Sequence, residues 1–415
     1  MGGMLIVGAG LAGLTVAETL RAKGYGGPVT LIGAEPHAPY QRPPLSKGFL
    51  QGETAEAQLM MRTTEAMEKK QLALKVPAGT QSAGTGVTAI DRGARQVTLA
   101  DGSTLAYDGL ALCTGARLRP LPLAGAGLDG VYGLRSLDDS KAIKAALETA
   151  QNVVIIGGGF IGLEVAAVAR RKGKCVTVLE AAERLMARVV PPHVSRFYLE
   201  MHDSQGVEVV LAAAVAELTG SAGRIAAVRT GDGREFPADL VLVGIGVIAN
   251  VELAQAAGLE VAGGIVVDAC SRNSDPAIVA AGDCTVRRME DGSLRRLESV
   301  QNAMEQAKSA AVALLGRERP FTATPWFWSD QYDVKLQMAG LTAGFDTLVT
   351  RGAGDVDATT RKFSWYYFKA GRLIAIDSLN QSPDHLTGRK LLDKGISPTP
   401  EQAADSSFDL AALLA

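Results

Sequence analysis

The stretch Val153-Val154-Ile155-Ile156-Gly157-Gly158-Gly159-Phe160-Ile161-Gly162-Leu163-Glu164 decides the fold. Four β-branched residues lead into G-x-G-x-x-G, and a helical pattern follows. A short run that is apolar at every position reads as a strand buried on both faces, the habit of parallel sheets. The first glycine permits a tight turn, the second lets the backbone approach a pyrophosphate, and the third lets helix pack on strand. Phosphate then lies against the free N–H groups of the helix N-terminus. A second copy opens the chain: Met4-Leu5-Ile6-Val7-Gly8-Ala9-Gly10-Leu11-Ala12-Gly13. One such motif is a weak signal. Two, each after a strand and each followed by an acid, predict two dinucleotides on one polypeptide.

The acids are Glu35 and Glu180. Glu35 follows the predicted strand Val29-Thr30-Leu31-Ile32-Gly33 and lies 22 residues after Gly13. Glu180 ends Val176-Thr177-Val178-Leu179 and lies 18 residues after Gly162. A ribose-binding acid is expected about 20 residues past the glycines. A carboxylate there accepts from the 2′- and 3′-hydroxyls and repels a 2′-phosphate, so Glu180 favours NADH over NADPH. Arg184, close by, pulls the other way.

Length and composition bound the rest. A chain of 415 residues is expected to form two or three domains. A net charge of −2 gives no basic field for nucleic acid. No apolar run is long enough for a membrane span. A first strand at Met4 leaves no room for a signal peptide, which predicts a cytoplasmic location. Cys113, Cys175, Cys270 and Cys284 form no C-x-x-C, which argues against a disulfide framework, a zinc site and an iron–sulfur cluster in this chain. Each reads as a packing residue.

In chain order, Pro39-Tyr40-Gln41-Arg42-Pro43-Pro44-Leu45-Ser46-Lys47 is stiffened by prolines and holds Arg42 and Lys47 at set positions. That suits one cation for a diphosphate and the other for a flavin. Residues 86–112 alternate as strands around an Asp101-Gly102 turn, and Leu112-Cys113-Thr114-Gly115 ends a buried strand. Arg117 and Arg119, with Pro120 and Pro122, mark a crossover between domains. Ala238 to Gly246 is a strand ending in glycines, where a cofactor would lie. Pro276 to Asp283 ends in Gly-Asp, and Asp283 suits a hydrogen bond from a ribityl chain. A helix from Ser299 to Leu315 presents its positive dipole end near Val300, which would stabilise a reduced flavin. From Ala323 the texture changes. All three tryptophans (Trp326, Trp328, Trp365) fall there, with antiparallel strands about a turn at Ala370-Gly371. A helix follows with Ser382 as N-cap, Pro383 first and Gly395 past its end. The tail from 401 has weak patterning.

Both fingerprints, Pro-Pro-Leu-Ser-Lys, the Thr-Gly strand end, Gly-Asp and Pro325-Trp-Phe-Trp-Ser-Asp-Gln331 together resemble a known family. The chain is similar, over residues 4–400, to the NADH-dependent ferredoxin reductases of the putidaredoxin-reductase type. The resemblance implies an α/β fold with two Rossmann-like dinucleotide-binding domains of glutathione-reductase-like kind. The FAD domain would be 1–113 and 247–322, the NAD domain 114–246, and a C-terminal α+β domain 323–415. It implies FAD at Gly8, Gly10, Ala12, Gly13, Glu35, Arg42, Lys47, Val87, Thr114, Arg135, Asp283 and Val300. It implies NAD at Gly157, Gly159, Ile161, Gly162, Glu164, Glu180 and Gly246. Cys113 stands where the family commonly has alanine.

The reaction so implied is a hydride from NADH to FAD, then electrons passed singly to a [2Fe–2S] ferredoxin. The ferredoxin would feed a haem-thiolate monooxygenase or an aromatic-ring dioxygenase. The flavin carries the chemistry, so no general acid or base is required. Lys47 and Glu164 are the candidates for tuning the hydride step, as an ion pair, and Trp328 for the flavin side that faces the ferredoxin. Trp326 reads mainly as packing. Ferredoxins of this type are acidic, and Lys308, Arg288, Arg295 and Arg296 are the candidate steering cations, with Glu290, Asp291 and Glu298 interleaved. Two other readings share the cofactor sites: a reductase of a small acceptor, and an NADH-sensing flavoprotein that acts through partner binding. The missing cysteine pair counts against a disulfide reductase.

Overall fold

The computed structural model describes residues 2–77 and 86–415. Backbone contacts divide the chain into two compact units. The first holds the residues up to Gln41, then Glu56–Arg117 and Val247–Ala323; the second holds Arg42–Ala55, Leu118–Gly246 and Thr324–Ala415.

The first unit is built on a sheet in the order Leu72–Lys75, Val29–Ile32, Gly3–Val7, Thr104–Leu112, Gln96–Leu99, Val87–Asp91, with Ile278–Ala280 also on Thr104–Leu112. Thr104–Leu112 does two jobs. Its second half runs parallel to Gly3–Val7 and to Ile278–Ala280, and its first half runs antiparallel to Gln96–Leu99. The predicted turn is present, with Gly102 at φ +82°. Leu14, Val16 and Leu20 of helix Leu11–Ala22 and Ala307 and Ala311 of helix Val300–Leu314 bury one sheet face. Ala254, Leu259, Ile265 and Val267 bury the other. Cover on both faces is why the parallel strands are apolar at every position. Cys113 packs in the first of these cores and Cys284 in the second, each as a small apolar side chain.

The second unit carries a five-stranded parallel sheet in the order Glu208–Val210, Cys175–Leu179, Asn152–Ile156, Leu240–Val243, Val131–Tyr132. It also carries a five-stranded antiparallel sheet in the order Trp326–Gln331, Val334–Gly340, Arg372–Leu379, Phe363–Lys369, Thr347–Arg351. The expected hairpin turn falls at Ala370 and Gly371, both at positive φ, which matches the twist of the flanking strands.

One face of this sheet covers helix Ser382–Lys394 through Tyr366, Phe368, Ile376 and Leu391. Two expectations change here. Gln381, not Ser382, is the N-cap of that helix. Ser382 is its first residue and donates instead to Gln337 Oε1 at 2.6 Å. The tail after 400 is ordered by a helix, Pro400–Ala404, closed by a Thr399/Gln402 capping box. Ala403 and Leu410 complete the same core.

The other face of the sheet meets helix Pro192–Ser204. Phe197 packs on Phe363 and Trp365 with ring centroids 5.7 and 6.3 Å apart. Polar groups are buried among these rings. Tyr367 donates to Asp377 Oδ2 at 2.6 Å, and its oxygen is 2.9 Å from His193 Nε2. Burial pushes the Asp377 carboxyl up to about 7. Burial also pushes the imidazoles of His193, His202 and His385 down to about 4. Among the described residues no helix is long and apolar enough to cross a membrane.

Candidate functional site

The two glycine motifs fold alike. Gly8 and Gly157 have φ of +114° and +108°, and each N–H donates to the neighbouring strand, to Ile32 O and Leu179 O, both at 2.8 Å. A Cβ would stand 2.0 Å from Cys113 O at Gly8 and 2.5 Å from Gly244 O at Gly157. A Cβ on Gly13 would stand 1.9 Å from Gly8 O, and one on Gly162 2.3 Å from Gly157 O, so helix and turn touch through bare backbone. Gly10 and Gly159, the middle glycines, face open space. They are also the N-caps of helices Leu11–Ala22 and Phe160–Arg171, and neither helix has a side-chain cap. Open space ahead of uncapped amides is the cradle a pyrophosphate fits.

In the first unit, Gly282 at φ +88° has its missing Cβ 3.2 Å from Ala12 Cβ and 3.8 Å from Ala303 Cβ. This gathers the Gly-Asp strand end, the first helix and the helix that starts at Val300. Gln306 fixes the junction: its Oε1 accepts from Gly282 N, Thr285 Oγ1 and Asn302 Nδ2. Ser299 caps the helix through Asn302 N at 3.0 Å. Asp283 is half-buried after that glycine, and Val87 opens its strand. Thr114 and Asn250 bond reciprocally, Oγ1 to O at 2.6 Å and Nδ2 to O at 2.9 Å. Glu35 is held by Tyr40, whose hydroxyl donates to Oε2.

In the second unit, Glu180 Oε2 accepts from Gly158 N at 2.6 Å and Oε1 from Ala182 N at 2.7 Å. The acid is thereby fixed to its own glycine loop, and each oxygen retains a lone pair for a ribose hydroxyl. Arg184 is engaged elsewhere. Nη1 donates to Val190 O and Ser195 Oγ, and Nη2 to Ala187 O. It braces the loop rather than awaiting a 2′-phosphate. Gly246, at φ +100°, has Arg188 Nη2 3.2 Å from where its Cβ would be. Ile161, in the first turn of Phe160–Arg171, is 44% exposed. Arg42 Nη1 donates to Arg135 O at 2.6 Å.

The expected Lys47–Glu164 pair is formed, with Nζ 2.7 Å from Oε2. Pro43–Ser46 is a 3₁₀ turn that ends at Lys47, and Glu164 is one turn into its helix. Glu164 is 2% exposed. Burial pushes its carboxyl up, while the Lys47 charge and bonds from Lys47, Ser329 and Ser46 pull it down. Ser46 Oγ donates to Oε2 at 2.5 Å and Ser329 Oγ to Oε1 at 2.7 Å. Neither serine was singled out from the sequence. The signal was available for Ser329, which shares a strand face with Phe327 and Gln331 at period two. A cavity of about 280 Å³ opens beside the pair, lined also by Gln51, Arg171, Asp330 and Tyr332.

Trp328 is half-buried, its ring 5.5 Å from Trp326 and 6.4 Å from Phe327. Trp326 packs toward the C-terminal core and lies under Arg389 at 5.5 Å. Three of the four candidate steering cations hold acids: Lys308 with Glu305, Arg288 with Glu260, and Arg296 with Glu298.

Two uncapped glycine turns, each followed by an acid at the spacing expected for a ribose, fit an oxidoreductase that binds two dinucleotides, one of them a pyridine nucleotide. Comparison with known proteins agrees. The pattern of the pyridine nucleotide-disulphide oxidoreductase family matches residues 3–307, and a reductase C-terminal pattern matches 326–414. Rhodocoxin reductase of Rhodococcus erythropolis is 44% identical over 98% of this chain and 93% of its own. The crystal structure of a ferredoxin reductase for the CYP199A2 system from Rhodopseudomonas palustris is 44% identical, covers 100% of both chains and has a TM-score of 0.94. The reductase in a covalent putidaredoxin reductase–putidaredoxin complex is 38% identical, with a TM-score of 0.93 over 100% of this chain and 98% of that one. The chain belongs to the pyridine nucleotide-disulphide oxidoreductase family and, within it, to the ferredoxin reductases of the putidaredoxin-reductase type.

Proposed function

We propose that this protein is an FAD-dependent NADH:ferredoxin reductase. On this reading it supplies a [2Fe–2S] ferredoxin whose electrons go on to a haem-thiolate monooxygenase or an aromatic-ring dioxygenase. The observation that carries the reading is the doubled glycine turn, identical in backbone design at Gly8 and Gly157, on a chain similar to ferredoxin reductases from end to end. When bound, FAD supplies the capacity to take two electrons as a hydride and release them singly.

The chain's own residues bind, orient and tune. The division we propose is an FAD domain of 1–113 and 247–322, an NAD domain of 114–246 and a C-terminal domain of 323–415. FAD is assigned to Gly8, Gly10, Ala12, Gly13, Glu35, Val87, Thr114, Asp283 and Val300, with Arg42, Lys47 and Arg135. NAD is assigned to Gly157, Gly159, Ile161, Gly162, Glu164, Glu180 and Gly246. Glu180, fixed by two amides, accepts from ribose and repels a 2′-phosphate, and Arg184 is already spent on loop carbonyls. That supports NADH as the donor. Glu164 holds Lys47 at a fixed position, and the pair tunes the hydride step. Trp328 is assigned to the ferredoxin-facing side. The protein is proposed to act in the cytoplasm.

The test is steady-state NADH oxidation with a panel of [2Fe–2S] ferredoxins, repeated with NADPH, on flavin-loaded protein. Ferredoxin-dependent turnover at least tenfold faster with NADH is expected. Turnover only with small acceptors, or a long-lived reduced complex with no ferredoxin turnover, would overturn the assignment.

A further inference from the structure

Glu164 is the end of a longer chain of buried hydrogen bonds. Ser329 donates to it, and Ser329 Oγ in turn accepts from Gln331 Nε2 at 3.2 Å. Gln331 Oε1 faces His202 Nε2 at 2.8 Å, and His202 Nδ1 faces the Tyr332 hydroxyl at 3.3 Å. Ser329, Gln331 and His202 are at most 2% exposed.

With the Gln331 amide oxygen toward His202, the direction of every bond follows. An amide oxygen only accepts, so His202 Nε2 must carry the proton. His202 is held neutral by burial, so its Nδ1 is bare and accepts from Tyr332. With its oxygen committed to His202, Gln331 turns its NH₂ toward Ser329. Ser329 then has a donor on its lone pair, and its own hydrogen is sent to Glu164. Reversing the amide would make Ser329 donate to Gln331 and would leave Glu164 Oε1 without that donor. The imidazole tautomer thus decides how many donors the carboxylate has.

We propose that His202 and Gln331 are positioning residues that act through Ser329 to hold Glu164 as a carboxylate, and so hold Lys47 in place. This rests on the reading that the Lys47–Glu164 pair serves the hydride step. The groups beside Glu164 are Ser46, Lys47 and Glu53 from the proline turn and the segment after it, Arg171 from its own helix, Ser329, Asp330 and Tyr332 from the strand and its turn, and Tyr198 from helix Pro192–Ser204. Arg170 and Arg171 act on Tyr332. Among the described residues, Lys47, Ser46 and Ser329 bond the Glu164 side chain directly.

The test uses the full chain labelled with glutamate at the carboxyl carbon and with ¹⁵N-histidine. Wild-type His202 is expected as the Nε2–H tautomer at pH 7, and an Nδ1–H signal would overturn the proposal. The Glu164 carboxyl resonance, assigned with Glu164→Gln, is then titrated. His202→Leu and Gln331→Leu are each expected to raise its midpoint by about one pH unit, a tenfold change in proton affinity. His202→Gln, which keeps an N–H donor, is expected to restore it. Unchanged midpoints in both leucine variants would refute the proposal. If a leucine variant fails to fold, the wild-type tautomer and Gln331→Glu, which cannot donate when ionised, still decide it. Stopped-flow flavin reduction with Glu164→Gln separates the two ideas. A normal rate there removes the role of the pair while the titration shifts still establish the network.

Discussion

The two units build the same glycine turn and bury different chemistry. Among the described residues, the first unit buries neutral polar side chains such as Thr285, Asn302, Gln306 and Ser309, and no carboxylate, lysine, arginine or histidine. The second buries Glu164, Lys174, His202, Asp377 and His385. The neutral knot at Gln306 serves only to hold strand end and helix together, and its bonds are indifferent to pH. The ionisable groups of the second unit cost desolvation free energy unless each is paired or neutral. One of them, His202, is joined through Gln331 and Ser329 to Glu164, the carboxylate assigned to the hydride step.

The shared part of the comparison breaks with the largest effect. Gly8→Ala puts a Cβ into Cys113 O at a backbone angle that disfavours side chains, and purified protein is expected to lose most of its flavin. Gly157→Ala makes the matching intrusion on Gly244 O and is expected to retain flavin while the NADH KM rises more than about tenfold. Flavin-to-protein ratio and steady-state kinetics check both. Equal flavin loss in the two variants would show that the turns are not assigned to separate nucleotides.

The unshared part appears as pH dependence. Neutral burial of His193, His202 and His385 lowers their folded pKa to about 4 from 6.5. The unfolded chain then binds more protons between those values, so stability rises with pH from about 4 to 6.5. Asp377 works oppositely. Its folded pKa near 7 lies above the unfolded one of 3.8, so stability is lost as pH rises across that window. Three imidazoles outweigh one carboxyl, which predicts a melting temperature that rises from about pH 4 to 6.5 and levels off above about pH 7. Asp377→Asn keeps an acceptor for Tyr367 and removes the loss that Asp377 sets against the imidazoles. It is expected to melt several degrees above wild type at pH 8, with a ceiling of about 4 kcal/mol, and by less than half as much at pH 5. Scanning calorimetry at the two pH values checks this.

Smaller effects sharpen the contrast between the two ribose acids. Glu180 is tied to loop amides, whereas Glu35 is tied to the movable hydroxyl of Tyr40. Glu180→Gln is expected to raise the NADH KM about tenfold and the NADPH KM less, which narrows the coenzyme preference. Tyr40→Phe removes one hydrogen bond of about 1 kcal/mol and is expected to weaken FAD binding about fivefold in equilibrium dialysis.

What the sequence disclosed follows the range of each interaction. Both glycine turns, the Ala370-Gly371 hairpin and the Ser299 cap are local, and residue types a few positions apart specify them. The Lys47–Glu164 pair spans 117 residues and became visible only through the family resemblance. Ser329, 165 positions from Glu164, and the His202–Gln331 contact lay beyond that reach, because two sheets must pack before the atoms meet. The Ser382 cap was misread for a local reason: with Pro383 in the first turn, the serine is already helical and its hydroxyl finds Gln337. The candidate steering cations were read with the acids adjacent in sequence, and the fold adds distant ones, since Glu260 engages Arg288 and Glu305 engages both Lys308 and Arg319.

The bare amides at the starts of Leu11–Ala22 and Phe160–Arg171 have a consequence for the life of the protein. A helix that lacks a capping side chain frays from that end, so its first turn exchanges hydrogen readily and offers proteases a foothold. A ligand that satisfies those amides finishes the helix and adds its binding free energy to the native state alone. Supply of nucleotides would then set the protein's abundance as well as its turnover, with chains made in riboflavin-starved cells cleared before they ever worked.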